Sequence, residues 1–329
     1  MNQQIDFVVT WVDCADPCWQ KIYRDFTGKE TVSDCNRYRD WGTLKYWFRA
    51  VEKNAPWVNK IFFITCGQKP DFLNTDHPKI KCVTHSDYID SKYLPTFNSN
   101  VIELNLHRIP ELSERFVLFN DDILLNAPVS PEDFFVDGLP CDSAVLDMII
   151  PMGNNDVFYH ALLNNLDIIN KNYKKRNVLG KNRGAWYNPK YKDGFVRNVC
   201  LLPWKNFTGF KDYHIINNFL KSSFKEMAEK EPEAFERTYE NHFRAWDDIT
   251  QYLVRYYQLC EGKFHPCKKN GKFYEIGRQT EEIVKAFSGQ DYKYICLNDD
   301  SDDIDFELNK KMIIQALEGK YPQKSAFEL

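Results

Sequence analysis

The apolar residues of this chain gather in short β-branched runs: Ile5–Val12 (IDFVVTWV), Lys60–Cys66 (KIFFITC), Ile80–Thr84 (IKCVT) and Arg115–Leu125 (RFVLFNDDILL). Apolar runs of this length without polar alternation predict parallel strands covered on both faces. Between them the spacing turns helical. Pro17 opens a predicted helix that continues through Trp19–Phe26, with proline in the first turn. Leu44, Trp47, Phe48 and Val51 line one face of Arg37–Asn54, and Ile102, Leu106 and Ile109 line one face of Thr96–Pro110. Ser130 precedes Glu132 and Asp133 as the cap of a further helix start. The alternation predicts an α/β core from residue 1 to 136.

Past residue 136 the pattern changes. Asp142–Ile150 reads as a strand, Asp156–Tyr173 as a helix, and Lys174–Gly194 as a basic stretch rich in glycine, asparagine and aromatics. In that stretch Lys175, Arg176, Lys181 and Arg183, near Trp186 and Tyr187, form either a surface for an anionic or carbohydrate acceptor or a solvated loop. A helix is predicted through Tyr213–Lys230, a helical pair through Phe235–Leu259, a strand at Lys293–Leu297 and a last helix at Phe306–Leu317. The expected division is a core at 1–136, a variable acceptor-side insertion at 137–212, and a helical region at 213–329 that returns to the core.

Polar residues at strand ends are the candidates for chemistry. The run RFVLF delivers Asn120, Asp121 and Asp122, and neighbouring side chains on a strand point to opposite faces. The two carboxylates can therefore share a cation only if the strand ends or bends there. The pair is either a divalent-metal site or a turn in which Asn120 and Asp121 bond to the backbone. Thr10, Trp11 and Asp13 leave the first strand at its C-terminal end, the side on which open α/β sheets bind nucleotides. Asn298 and Asp299 repeat the strand-then-Asn-Asp arrangement near the C-terminus. Arg37 and Asp40 precede a helix body, where Asp40 could be an N-cap. His214 and Arg244 are separated by a segment able to fold back on itself.

Composition narrows the classes. With 329 residues, 43% hydrophobic and 15% aromatic, the chain can bury a large core. A net charge of −4 from 43 basic and 47 acidic residues gives no global positive field for nucleic acid or for an anionic membrane, so anionic ligands must meet local charges. No basic leader precedes the first strand and no run approaches the roughly 18 apolar residues of a membrane span, so a soluble cytoplasmic protein is expected. Ten scattered cysteines read mostly as buried thiols, Cys66, Cys82 and Cys296 among them. The pairs Cys14/Cys18 and Cys260/Cys267 are weak zinc candidates.

Taken together, four blocks in order resemble the Stealth family of sugar-1-phosphate transferases, which includes bacterial capsular polysaccharide phosphotransferases. They are IDFVVTWVD with its following DP; RYRDWGTLKY through APWVNKIFFIT, LPTFNSNVIELNLHRIP and RFVLFNDDILLNAPVSPEDFF; DYHIINNFLKS to HFRAWDD and Gln251; and ICLND with PQKSAFEL. They cover roughly half the chain, and residues 137–212 match least. Cys14 stands where the family often has a glycine-containing turn, and Thr43 where an acidic residue is common.

The resemblance implies a GT-A-like nucleotide-sugar-binding core and transfer of a hexose 1-phosphate from a UDP-sugar to a glycan hydroxyl, with UMP released, in capsule or surface polysaccharide synthesis. It implies Mg²⁺ or Mn²⁺, held by Asp121 and Asp122 with Asp299, Arg244 as charge stabiliser and His214 as base. Thr10, Trp11, Asp13, Arg37, Asn120 and Asn298 are the expected donor-side residues. Association with membrane-bound capsule machinery is a further expectation. The rival readings are a metal-dependent glycosyltransferase that breaks the sugar C1 bond and a non-catalytic sugar-nucleotide or glycan-binding module.

Overall fold

The computed structural model describes residues 4–29, 38–151, 157–299 and 305–329. β1 (Asp6–Thr10) leads into α1 (Pro17–Thr27), capped by Asp16, whose carboxylate accepts from the Trp19 amide at 2.7 Å. α2 (Leu44–Asn54), β2 (Ile61–Thr65), β3 (Ile80–Thr84), α3 (Ser99–Leu104), β4 (Arg115–Asn120) and β5 (Ile123–Leu125) follow. β6 (Phe135–Val136) and β7 (Leu139–Asp142) precede the helices α4 (Val157–Asn172), α5 (Lys175–Lys181), α6 (Arg183–Trp186) and α7 (Asp193–Cys200). The chain then forms β8 (Asn217–Leu220), α8 (Lys221–Lys230), α9 (Pro232–Tyr239) and α10 (Gln251–Glu261). β9 (His265–Pro266), β10 (Gly271–Glu275), α11 (Thr280–Ser288), β11 (Tyr294–Asn298) and α12 (Phe306–Lys320) complete it.

Five strands form the main sheet in the order β3-β2-β1-β4-β8, parallel except for β8, which runs antiparallel to β4. A second sheet has the order β10-β11-β5 and a third β6-β7-β9. The main sheet shows why its strands read as unbroken apolar runs. Val8, Phe62, Phe116 and Leu118 pack into one core with α4, α8, α9 and α10, while Phe7, Val9, Phe63, Val117 and Phe119 pack into another with α2, α12 and β11. Both faces are buried, so both sets of alternating side chains are apolar. This is the expected α/β architecture with a parallel-sheet core.

Four expectations need correction. The helix predicted from Arg37 begins at Leu44, because Gly42 at φ 72° turns the chain just before it; Asp40 is not its cap, and Arg37 lies outside the described residues. Asp142–Ile150 is not a strand beyond β7. Its apolar residues Ala144, Val145 and Leu146 report core burial, with a single bridge from Leu146 to Phe210. The helix predicted from Tyr213 starts only at Lys221, since Asn217–Leu220 pairs with β4; four residues are too few for periodicity to decide. In the basic segment, Lys175 is buried with its ammonium donating to the Leu201 and Trp204 carbonyls at 2.6 and 3.0 Å, and Trp186 is wholly buried. Neither is available to an acceptor.

Candidate functional site

The chain leaves the main sheet at Asn120 and enters the second sheet at Ile123, whose partner is Cys296. Asp121 and Asp122 occupy the crossing. The strand thus ends before the pair, which frees both carboxylates from alternation, and the Leu297 amide fixes the turn by donating to the Asp122 carbonyl at 2.8 Å. Thr10 lies beside Asn120 in the parallel register, so the ends of β1 and β4 open on one edge.

Asp122 faces distant parts of the chain. Its Oδ2 is 3.9 Å from Nε2 of His214 and accepts from the Cys296 thiol at 3.4 Å, while Oδ1 is buried without a hydrogen-bond partner. Desolvation pushes the Asp121 carboxyl well above the usual range, and repulsion from Asp122 and then Asp40 adds to it. Burial also raises Asp122, against the pull of His214. Crowded carboxylates with an orphaned oxygen are relieved by a divalent cation, and their hard oxygen donors suit Mg²⁺ or Mn²⁺. Cys296 offers sulfur at the same place, but burial and the Asp122 charge drive its thiol pKa far up, so it acts there as a donor to Asp122.

His214 is held in an uncommon backbone conformation, φ 46°, with its ring edge-on to Phe273 at 5.3 Å. Buried charges anchor the chain on both sides of it. Arg255 donates to Asp212 at 2.7 Å and to both oxygens of Asp142, and Lys269 donates to the Ile216 carbonyl at 2.9 Å.

A further carboxylate, which the sequence reading missed, interacts with the cluster. Glu103, on α3, is 7% exposed; burial raises its carboxyl to about 7, with Arg244 lowering and Asp122 raising it. Arg244 donates to Ser99 at the start of the same helix at 2.8 Å. The loop carrying Arg244 is fastened to α3 through buried Asp248, which accepts from Asn98 and Asn100 at 2.8 and 2.9 Å and from the Ala245 amide at 3.1 Å. Glu103 was detectable as the one charged residue between Asn98 and His107, but a helix predicted from its apolar face gives no sign that a charged neighbour is buried.

Beside this cluster is a cleft of about 710 Å³ lined by Trp11, Asp13, Asp40, Gln68, Lys69 and Lys310, among others. Trp11 donates from its indole to Asp40 at 3.3 Å, and Gln68 clasps the Asp13 backbone through both ends of its amide, at 3.1 and 2.7 Å. Asp40, shared between the cleft and the Asp121 surroundings, connects the two.

Asp299 departs from its expected place among the metal ligands. Arg39 grips both its oxygens, at 2.5 and 2.6 Å, and the Trp41 indole donates at 2.9 Å, so it anchors the segment before α2 instead. Asn298 ends β11 two residues after Cys296, on the same face of that strand. The zinc pairs do not form: Cys14 is buried among Trp19, Tyr23 and Phe97 while Cys18 is exposed, and neither pair belongs to a metal-capable group among the described residues.

Residues 37–141 match the family description Stealth protein CR2, conserved region 2. Over 99% of its length the chain is 45% identical to a capsular polysaccharide phosphotransferase, WcwK, of Streptococcus pneumoniae, covering 98% of that protein. It is 41% identical to the exopolysaccharide phosphotransferase cps2G of Lactiplantibacillus plantarum, over 98% of this chain and 96% of that one. It is 39% identical to the receptor polysaccharide phosphotransferase WefC of Streptococcus oralis, over all of both chains. Among solved structures, the galactosyltransferase LgtC in complex with donor and acceptor sugar analogs aligns over 98% of both chains, at 9% identity and a TM-score of 0.38.

Proposed function

The chain belongs to the Stealth family of polysaccharide phosphotransferases, and from that premise we propose that it transfers a hexose 1-phosphate from a UDP-sugar to a glycan hydroxyl in surface polysaccharide synthesis. The observation that carries this reading is the meeting of Asp122 and His214 at 3.9 Å at the end of the parallel sheet, with Glu103 and Arg244 behind them and the Trp11–Asp13 cleft alongside. In this reading the nucleotide occupies the cleft, where Trp11 offers an aromatic face, Asp13 and Gln68 polar groups and Lys69 a positive charge. The pyrophosphate points past Asp40 toward Asp121 and Asp122.

The acceptor oxygen attacks the β-phosphorus, the bond from that phosphorus to the UMP oxygen breaks, and the sugar C1–O bond is untouched. His214 takes the hydroxyl proton on its imidazole, and the Asp122 carboxylate beside Nε2 stabilises the resulting imidazolium. Arg244 supplies positive charge to the oxygens of the transferring phosphoryl group, and Glu103 orients the guanidinium. Asp121 and Asp122 would hold Mg²⁺ or Mn²⁺. The cation, when bound, neutralises the pyrophosphate and the departing UMP. His214 is kept in place against its backbone preference by the buried charges on either side, as suits a residue whose position matters more than its comfort.

A UDP-sugar labelled at the β-phosphorus, incubated with a glycan acceptor and Mg²⁺, tests the reading. The expected result is label in the glycan and unlabelled UMP in solution. Label retained in UDP, with sugar transferred, would make the protein a glycosyltransferase and overturn the proposal. Tight UDP-sugar binding without turnover would make it a binding module.

A further inference from the structure

Among the described residues eleven large apolar side chains are exposed, and six of them fall on two segments: Met148 and Ile150, and Val196, Val199, Leu202 and Trp204. They share one face of the molecule. The Asp147 and Ile149 amides donate to the Gly209 and Thr208 carbonyls at 3.0 and 3.1 Å, which lays 147–149 against the chain four to five residues beyond Trp204. α7 presses on the same stretch: a Cβ on Gly194 would come within 2.6 Å of Val145, and Arg197 and Lys211 both pair with Asp147. Val196 and Val199, three apart on α7, point the same way, and Leu202 and Trp204 extend the patch beyond the helix end.

The charge around this patch is mostly basic, the acidic residues on it being Asp193 and Asp147, the latter paired with Arg197 and Lys211. From Lys171 to Lys211 the chain has eleven basic residues and one acidic, Asp193, although the whole protein is −4. Arg197 is exposed within the stretch that carries the apolar side chains, Lys205 is exposed directly after it, and Lys190 and Lys192 are exposed ahead of it. Scattered apolar residues on a surface need no account, but a cluster with tryptophan at its edge and basic residues within and beside it has the composition of a membrane-interface surface. No described helix is long and apolar enough to cross a membrane, so contact through this face would be peripheral.

We propose that the face formed by Met148, Ile150 and Val196–Lys205 seats the protein on an anionic lipid bilayer. The apolar side chains enter the headgroup boundary while the lysine and arginine heads stay level with the phosphates. Charge complementarity favours this occupant over a two-fold pairing of the face with itself, which would set basic residues against basic residues. The inference is independent of the reaction proposed above.

The test is flotation of the full chain with vesicles of phosphatidylcholine alone or with phosphatidylglycerol, at low and high salt. Binding is expected to need phosphatidylglycerol and to weaken with salt. Lys205→Glu should weaken it by roughly fivefold or more, about the worth of one lysine at such a surface. A Leu202→Ser, Trp204→Ser variant should weaken it on the order of tenfold, through lost apolar insertion. All are exposed positions, so an unchanged melting curve is expected and is checked. Equal binding to both vesicle types, or no binding, overturns the proposal. So does light scattering that shows the native chain as a dimer and the Leu202→Ser, Trp204→Ser variant as a monomer with unchanged flotation, which would make the patch an interface between copies.

Discussion

Glu103 holds a charge that its surroundings oppose. Burial raises its carboxyl from the ordinary 4.5 to about 7, so between those values the folded protein keeps a proton that the unfolded chain has lost. Stability from this residue is therefore undiminished below pH 4.5, falls as pH rises toward 7, and is lowered by up to roughly 3 kcal/mol above it. Glu103→Gln should unfold at higher denaturant than the native protein at pH 8 and at the same denaturant at pH 4, while turnover drops. Equal stability at pH 8 would show that Glu103 is not desolvated as described. At His214 the expectation is opposite in kind. His214→Ala should lose on the order of 10²- to 10⁴-fold in turnover, as for removal of a general base, with donor affinity nearly unchanged. A collapse of donor affinity instead would make His214 a donor ligand. Asp121 and Asp122 stood out as paired carboxylates at a strand end, while roles for His214 and Arg244 came only with the family resemblance. The desolvation of Glu103 was not readable, since burial belongs to a place in the fold.

At the scale of elements, α3 and the Arg244 loop work as one unit. Asn98 caps α3, accepting from the Asn100 amide at 3.0 Å, and its amide group also donates to the Asn241 and Phe243 carbonyls and to Asp248. One side chain thus sets the helix that carries Glu103 and the loop that carries Arg244. Asn98→Ala should cost about 1–3 kcal/mol, from a lost cap and buried groups left unpaired, and should lower turnover although Asn98 touches no substrate. Thermal melts and kinetics on the same preparation would check both, and unaltered turnover in a destabilised variant would separate the cap from the site. Strand positions were legible from apolar runs covered on both faces. β8 and the 143–150 segment were not, because short apolar stretches look alike whether they pair with a strand or only fill a core.

Across the whole molecule, Arg255 links three parts of the chain. From α10 it reaches Asp142 at the end of β7 and Asp212 just before His214, while wholly buried. Removing it strands two buried carboxylates, so Arg255→Ala should lose about 3–5 kcal/mol in urea unfolding, far beyond an exposed arginine. A loss under 1 kcal/mol would mean that water already reaches the network. The same truncation should reduce turnover of the folded fraction, because the segment before His214 loses its anchor.

The amino-acid sequence by itself determined the alternation of buried parallel strands with helices and the stretches proposed to carry the chemistry. Apolar periodicity and the donor chemistry of Asn120, Asp121, Asp122, His214 and Arg244 are local properties that survive without knowing where the chain goes. Tertiary structure alone decided that the chain changes sheets between Asn120 and Ile123, that Glu103 is buried within reach of the Asp122 charge, that Arg39 holds both oxygens of Asp299, and that Lys175 and Trp186 are interior. Each depends on which distant residue arrives alongside and how much water is left between them, and distance and desolvation are properties of the folded arrangement.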